Sequence, residues 1–165
     1  MAGNSSFFAR YASGLALAFG LAGQAVGGPL EDGQAAYLAG DFSGAMRIWR
    51  PLATRGNAEA QLDIGMMFNS GLGVPKDYAQ AVYWYGKAAK QDIADAQSLL
   101  ADMYMSGHGV PRDFVTAALW YQKAATHGTP DAQCNLARLY EKEWACRETR
   151  CSPYLGIGRP QPTDL

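Results

Sequence analysis

Residues 58–93 and 94–129 are two copies of one 36-residue pattern, identical at 16 of 36 aligned positions. Asp77-Tyr78 through Trp84-Tyr85 to Lys87-Ala88-Ala89 recurs as Asp113-Phe114, Trp120-Tyr121 and Lys123-Ala124-Ala125. The loop Ser70-Gly71-Leu72-Gly73-Val74-Pro75 recurs as Ser106-Gly107-His108-Gly109-Val110-Pro111. A fixed period of this length limits the fold more than any other feature. Each unit is a small module that cannot bury its apolar face alone, and only stacked neighbours make a continuous core. A binding scaffold is therefore the default reading, and an enzyme the unexpected one.

Within each unit the apolar residues fall at helical spacing. Ala60, Ile64, Met67 and Phe68 form one stripe, which Ala96, Leu100, Met103 and Tyr104 repeat and Ala132, Leu136, Leu139 and Tyr140 repeat again. Ala81, Trp84, Tyr85 and Ala88 form the facing stripe, followed by Ala117, Trp120, Tyr121 and Ala124. Alanines let helices approach closely, and each aromatic ring fills the seam with roughly 150–250 Å² of surface to bury. Gly71 and Gly73 suit a helix end, because glycine accepts the left-handed conformation of such caps. Pro75 blocks further helix. Asp77 then occupies an N-cap position with Gln80 three residues on, a variant of the capping box, and Asp113 repeats it.

A degenerate unit precedes these two. Glu31 to Ala39 reads as a short helix, Gly40-Asp41-Phe42 as a tight turn, and Ala45, Ile48, Trp49 and Ala53 continue the second stripe. Asp41, Asp77 and Asp113 keep the 36-residue spacing. The pattern predicts seven helices, near 31–39, 42–55, 57–69, 78–91, 94–105, 114–127 and 130–142.

The chain has 165 residues, with 14 basic against 15 acidic side chains. That balance offers no basic stripe for nucleic acid and no charged tail. The N-terminus reads as a secretory signal over 1–25. Arg10 is the only charge in the first 30 residues, Tyr11 to Ala22 is an apolar run, and Gly23-Gln24-Ala25 supplies small residues for cleavage. The run is shorter than the ~20 residues of a membrane-spanning helix. The expected product starts near Val26 and is exported, periplasmic or secreted, with no membrane span.

The string Ala-x-x-x-Leu/Ile-x-x-Met-Phe/Tyr-x-Ser-Gly-x-Gly-Val-Pro-x-Asp-Tyr/Phe-x-x-Ala-x-x-Trp-Tyr-x-Lys-Ala-Ala resembles the Sel-1-like repeat, a relative of the tetratricopeptide repeat with a longer inter-helix loop. The resemblance covers about 31–142 and divides the chain into a degenerate tetratricopeptide-like unit at 31–56, full repeats at 57–92 and 93–128, and the first helix of a truncated repeat at 129–142. It implies an all-α fold, a right-handed α/α superhelix or solenoid. It also implies a protein- or peptide-binding role, which in exported bacterial members falls in envelope assembly, signalling or host contact.

The tail 143–165 breaks the pattern where another Gly-x-Gly-Val-Pro loop is due. Inserting one base before the codons for Glu143 permits Gly-Val-Gly-Val-Pro-Arg-Asp over 143–149, in register with Gly107 through Asp113, and then tryptophan and tyrosine at 156 and 157. The tail therefore reads as the product of a one-base deletion or a sequencing error. With Gly156, Gly158, Pro160 and Pro162 it offers no helical cap for the stack, so the last helix is expected to fray near Lys142.

Specific chemistry is sparse. Cys146 and Cys151 are five apart, which suits a loop bridge and not a helix; Cys134 leaves three single pairings open, and no disulfide is assigned. Some cysteine-rich members of the resembled family pair cysteines in each repeat and bind penicillin-like compounds, but no cysteine recurs here with the period. His108 and His127 have no second ligand at helical spacing, so no metal site is expected. Ser70 and Ser106 recur with the turn, which argues for a turn role over a nucleophile. The loops lack the Lys-Ser/Thr ending of a phosphate-binding loop. The Trp-Tyr pairs read as core and not as sugar platforms. No catalytic residue and no cofactor is expected.

Recurring positions build a stack, while positions that vary between copies are free to read a partner. Away from the apolar stripe of the first helices lie Met66, Asn69, Asp102, Met105, Arg138 and Glu141, aligned as Met66/Asp102/Arg138 and Asn69/Met105/Glu141. This mixed face is the candidate partner-binding surface, with methionines that adapt to shape. The resulting expectation is a non-enzymatic protein- or peptide-binding scaffold of the bacterial cell envelope. Its rivals are an exported penicillin-recognising hydrolase and a nonfunctional truncated product. N-terminal sequencing of the exported chain should begin at or near Val26; an uncleaved Met1 terminus on a membrane-associated product would contradict the signal reading.

Overall fold

Asp41, Asp77 and Asp113 each open a helix with the side chain accepting backbone N–H groups. Asp41 accepts from Gly44 at 2.8 Å, Asp77 from Ala79 and Gln80 at 2.9 and 3.0 Å, and Asp113 from Val115 and Thr116 at 3.0 and 3.1 Å. Each carboxylate thus satisfies donors that a helix start leaves orphaned. The structure is a computed structural model and describes residues 27–148, with side chains through Tyr140. Residues 1–26, where the signal segment was expected, and the chain after Glu148, including Cys151, lie outside the described residues.

Seven helices and no strand make up the described residues. In order they are α1 (Pro29–Leu38), α2 (Phe42–Thr54), α3 (Ala58–Ser70), α4 (Tyr78–Ala89), α5 (Ala94–Ser106), α6 (Phe114–Thr126) and α7 (Pro130–Glu148). Each packs chiefly on the helix before and the helix after it, the quasi-one-dimensional order of a repeat stack. The odd-numbered helices are the first helices of the units and the even-numbered ones the second. α1 begins two residues earlier than expected, because Pro29 sits at the first helical position, where its missing N–H costs nothing. The capping box is not formed, since the Asp77 N–H donates to the Phe68 carbonyl at 3.0 Å and closes the loop instead.

The last helix corrects the expected stop at Lys142. Its backbone continues to Glu148, since Glu143, Ala145, Arg147 and Glu148 are good helix formers and the first proline of the tail is Pro153.

The core depends on one aromatic position. Trp49, Tyr85 and Tyr121 recur at the 36-residue period and are 0% exposed. Across from the first two stand Gly33 and Gly65; a Cβ there would lie 2.2 Å from the Trp49 indole and 2.6 Å from the Tyr85 ring. Ala101, 36 residues after Gly65, is buried in the same cluster as Tyr121. The neighbouring Trp84 packs in the opposite direction, into the cluster of Trp49 and Ile64, while Tyr85 packs forward with Ala96 and Leu100. One Trp-Tyr dipeptide therefore plugs the seam on either side of its helix. The sequence placed tryptophan and tyrosine together in the seams; of the two, the tyrosines are the deeper residues. Trp120 is half-buried, with the Lys123 ammonium 4.5 Å from its ring centre.

A second repeated contact is polar. Gln61 and Gln97, both buried, donate to the carbonyls of Ala53 and Ala89 at 3.0 and 3.2 Å. Each ties a first helix to the open C-terminal end of the preceding second helix, giving the helix-end carbonyl a buried donor, although the Gln97 side-chain oxygen closes no hydrogen bond.

The Gly-x-Gly loops latch one unit to the next. Gly71 and Gly107 cap their helices at φ 77°, with N–H donating 2.8 Å to Met67 and Met103. Gly73 and Gly109, at φ 71° and 72°, press on the first residue of the preceding second helix. A Cβ on Gly73 would approach the Phe42 backbone to 2.8 Å, and one on Gly109 would approach the Tyr78 backbone to 2.4 Å. His108 of the same loop stacks on the Tyr78 ring, centroids 4.6 Å apart. Phe114, the third such residue, is 49% exposed. The glycine due on it falls at position 145, which is Ala145 within α7.

These contacts predict that Gly109→Ala is the costlier change of two alike in φ. Gly107→Ala meets only the left-handed backbone penalty, with Arg112 at an ordinary 3.4 Å. Gly109→Ala adds a backbone clash and should lose about 1–3 kcal/mol beyond Gly107→Ala in urea unfolding. Equal losses would show that the loop is not a latch.

Candidate functional site

The seam tyrosines carry hydroxyls that must emerge somewhere, and they emerge among the variable positions of the first helices. Tyr121 leaves α6 buried and donates its hydroxyl to Asp102 Oδ1 on α5, with the Met105 sulfur 3.9 Å away. Asn135 and Arg138 on α7 also act on this hydroxyl. Tyr85, one unit earlier, points its hydroxyl at Asn69 of α3 and lies in the field of Asp102 of α5. Each tyrosine thus runs from its own second helix to the gap between two successive first helices.

Helical spacing makes this convergence. Met66 and Asn69 are one turn apart on α3, Asp102 and Met105 on α5, and Asn135 and Arg138 on α7. The Ser70 and Ser106 hydroxyls donate to the Met66 and Asp102 carbonyls at 2.6 and 2.7 Å, holding the last turns of α3 and α5. That gives both serines a structural task at the turn.

Five of the six residues expected on this face have described side chains, and they are not a uniform solvated surface. Met66 and Met105 are half-buried and pack against the cores of the two seams, so they belong partly to the apolar stripe they were expected to oppose. Asn69 and Asp102 are half-buried beside the tyrosine hydroxyls. Arg138 is exposed, with Nη1 3.5 Å from Asn135 Oδ1. The Glu141 side chain lies outside the described ones. The geometry adds Tyr85, Tyr121, Asn135 and Asp131, which pattern reading left out. Their signal was the tyrosine's polar tip, which a core position must still place next to a partner.

Electrostatics single out Asp102. Burial pushes its carboxyl above the usual carboxylate range. The hydrogen bond from Tyr121 opposes that rise, and the charge of Asp131 adds to it. Burial, then the Asp102 contact, hold the Tyr121 hydroxyl protonated well above its ordinary range. Tyr85 is held likewise by burial first, and its hydroxyl closes no hydrogen bond of ordinary geometry although Asn69 lies beside it. Neither tyrosine is a nucleophile at neutral pH; both are positioned polar tips.

Among the described residues no three His, Cys, Asp or Glu side chains converge as metal ligands. Cys134 is an exposed free thiol, and Cys146 falls in the helical backbone of α7. His127 follows the last turn of α6 as its cap. Trp84 and Tyr85 are core residues and offer no open stacking platform. No described helix is long and apolar enough to cross a membrane.

The Sel1 repeat pattern matches residues 58–93, 94–129 and 130–143, a little over half of the chain. The fold is that of solved relatives. A Sel1 repeat protein from Oxalobacter formigenes is 34% identical and superposes with a TM-score of 0.64 over 67% of this chain. A protective antigen present in uropathogenic Escherichia coli strains, displaying an SLR fold, is 36% identical with a TM-score of 0.67 over 70% of this chain. No curated protein is significantly similar in sequence. This is an all-α repeat protein of the solenoid class. The chain belongs to the Sel1 repeat family, whose members in general are non-catalytic scaffolds for protein interactions. It spans 45% and 26% of the length of those two relatives.

Asp102 provides a pH test with a definite sign. Its folded pKa is raised, so its contribution to stability is full below the unfolded carboxylate range and is lost as pH rises through the folded value. Asp102→Asn is neutral throughout and lacks this dependence. The stability advantage of the wild type over Asp102→Asn, from urea unfolding, should shrink as pH rises from the unfolded carboxylate range through the higher folded value. An advantage that grows over that interval would place Asp102 in a charge-stabilising environment instead.

Proposed function

We propose that the chain is a non-enzymatic scaffold of the bacterial cell envelope, binding a protein or peptide across the shared face of α3, α5 and α7. One observation carries the reading. The side chains that differ between repeats, Met66, Asn69, Asp102, Met105 and Arg138, are gathered along a single face by the seam tyrosines, whose own positions are fixed by the period. A surface built this way varies in chemistry without altering the stack, which is what a partner-reading solenoid requires. Half-buried methionines add adaptable contact area. The family's general role supports a scaffold, and the signal-like N-terminus supports export of a product starting near Val26.

The test uses the mature chain as bait on periplasmic extract, beside the double variant Asn69→Ala, Arg138→Ala. A partner retained by the wild type and lost by the double variant, with unchanged helicity by circular dichroism, is the expected outcome. Retention equal in both would move the interface elsewhere. Turnover of nitrocefin by the purified mature chain would favour the hydrolase reading and displace this one.

A further inference from the structure

From α1 to α6, charge is sorted by layer. The first helices α1, α3 and α5 carry Glu31, Asp32, Glu59, Asp63, Asp95 and Asp102 and no base. The second helices α2, α4 and α6 carry Arg47, Arg50, Lys87 and Lys123 and no acid. The aspartates that cap the second helices leave this sign intact, because their carboxylates accept backbone N–H groups at the opposite end from Lys87 and Lys123. Arg55 and Lys90 follow α2 and α4 as C-caps and extend the basic edge. The lysines lie on rings: the Lys87 ammonium is 4.7 Å from the Tyr83 ring centre, and that of Lys123 is 4.5 Å from the Trp120 ring centre. Arg47 and Arg50 line a groove on the outer side of α2 with Ser43, Met46, Pro51 and Thr54.

The same layer exposes large apolar side chains. Tyr83, Val115 and Leu119 are 52%, 52% and 56% exposed. Val115 and Leu119 stand one turn apart on α6, and Tyr83 is the residue of α4 that aligns with Leu119 one period earlier. The exposed Arg47 holds the same position on α2. Packing makes these helices neighbours, since Trp84 of α4 joins the cluster of Trp49 and Trp120 of α6 joins that of Tyr85. Apolar residues scattered singly over a surface are ordinary, but an apolar row rimmed by charge of one sign marks an interaction surface.

We propose that the outer face of α2, α4 and α6, distinct from the face of α3, α5 and α7, docks an acidic amphipathic helix of a partner protein. Its carboxylates meet Arg50, Lys87 and Lys123, and its apolar side chains lie on Tyr83, Val115 and Leu119. Charge complementarity sets the sign of the partner. Three packed helices spaced about 8–10 Å apart present a face roughly 20 Å across, which a helix of about 13 residues spans. An anionic membrane would meet the same charges. Membrane docking buries apolar side chains about 5–10 Å into the headgroup boundary. Tyr83, Val115 and Leu119 are already nearly half covered by their own layer, which suits a partner that comes to the surface.

Amide chemical-shift mapping of the full mature chain tests this, with an amphipathic helical peptide of about 14 residues built from leucine and glutamate as the probe. Saturable shifts centred on Tyr83, Lys87, Leu119 and Lys123 are expected. Affinity should fall about tenfold or more when glutamine replaces glutamate in the peptide, and likewise in the double variant Lys87→Glu, Lys123→Glu. The glutamine peptide needs no variant, so the test survives a poorly folded double variant. Equal binding of the glutamate and glutamine peptides would overturn the acidic partner. Shifts confined to α3, α5 and α7 would overturn the surface, as would the lack of saturation by about 1 mM glutamate peptide. Binding to phosphatidylglycerol vesicles without binding of the glutamate peptide would overturn the docked helix and assign the face to an anionic membrane.

Discussion

The aromatic ring that crosses each seam is the interaction on which everything else depends. Trp49, Tyr85 and Tyr121 sit with no solvent exposure against a residue of minimal size, and the helices close to the distance that a missing or minimal side chain allows. A larger residue at Gly33 or Gly65 would not merely crowd a ring. It would push apart the two helices of a unit, and with them the spacing that brings the next unit into contact. In a stack where each module touches only its neighbours, such an error has no other contacts to absorb it.

The same ring links structure to recognition. A tyrosine in the seam buries an apolar body and must still house its hydroxyl, so its tip ends at the polar boundary between successive first helices. Units two and three of this chain resolve that demand differently. Tyr121 meets a carboxylate, whereas Tyr85 meets an amide without a closed bond and a thioether at the aligned position. Recurrence in the core thus generates a row of equivalent polar points, and variation around them gives each point its own chemistry. The loop latch works by another route, with glycine backbone pressed on the backbone of the preceding unit, and it leaves Phe114 without its cover.

Much of the fold was legible because period and punctuation are local properties. The aspartate caps at 41, 77 and 113, the left-handed glycines at 71 and 107, and the seven helices all follow from residue type and spacing. The reading was weaker where two local rules competed. Trp84 shares its stripe with Tyr85, and Trp120 with Tyr121, but the deeper position belongs to the residue opposite the small one, and only the approach of two helices reveals which that is. The end of α7 escaped because comparison with earlier repeats demanded a loop, while the residues present at 143–148 favour helix. The candidate face was located by variation between copies, yet its half-buried character was not, since Met66 and Met105 reach back into neighbouring seams.

Sequence alone determined the module, its repetition and its boundaries, because hydrogen bonding within a helix and the conformational limits of glycine, proline and aspartate act over a few residues. It could not determine what faces Tyr85 and Tyr121, since those partners lie on a different helix of the same unit and on the next unit. The tertiary stack decided that Asp102 would be half-buried beside one hydroxyl and in the field of another. Burial and its electrostatic consequences are set by the neighbours that packing supplies, and no pattern within a single helix contains them.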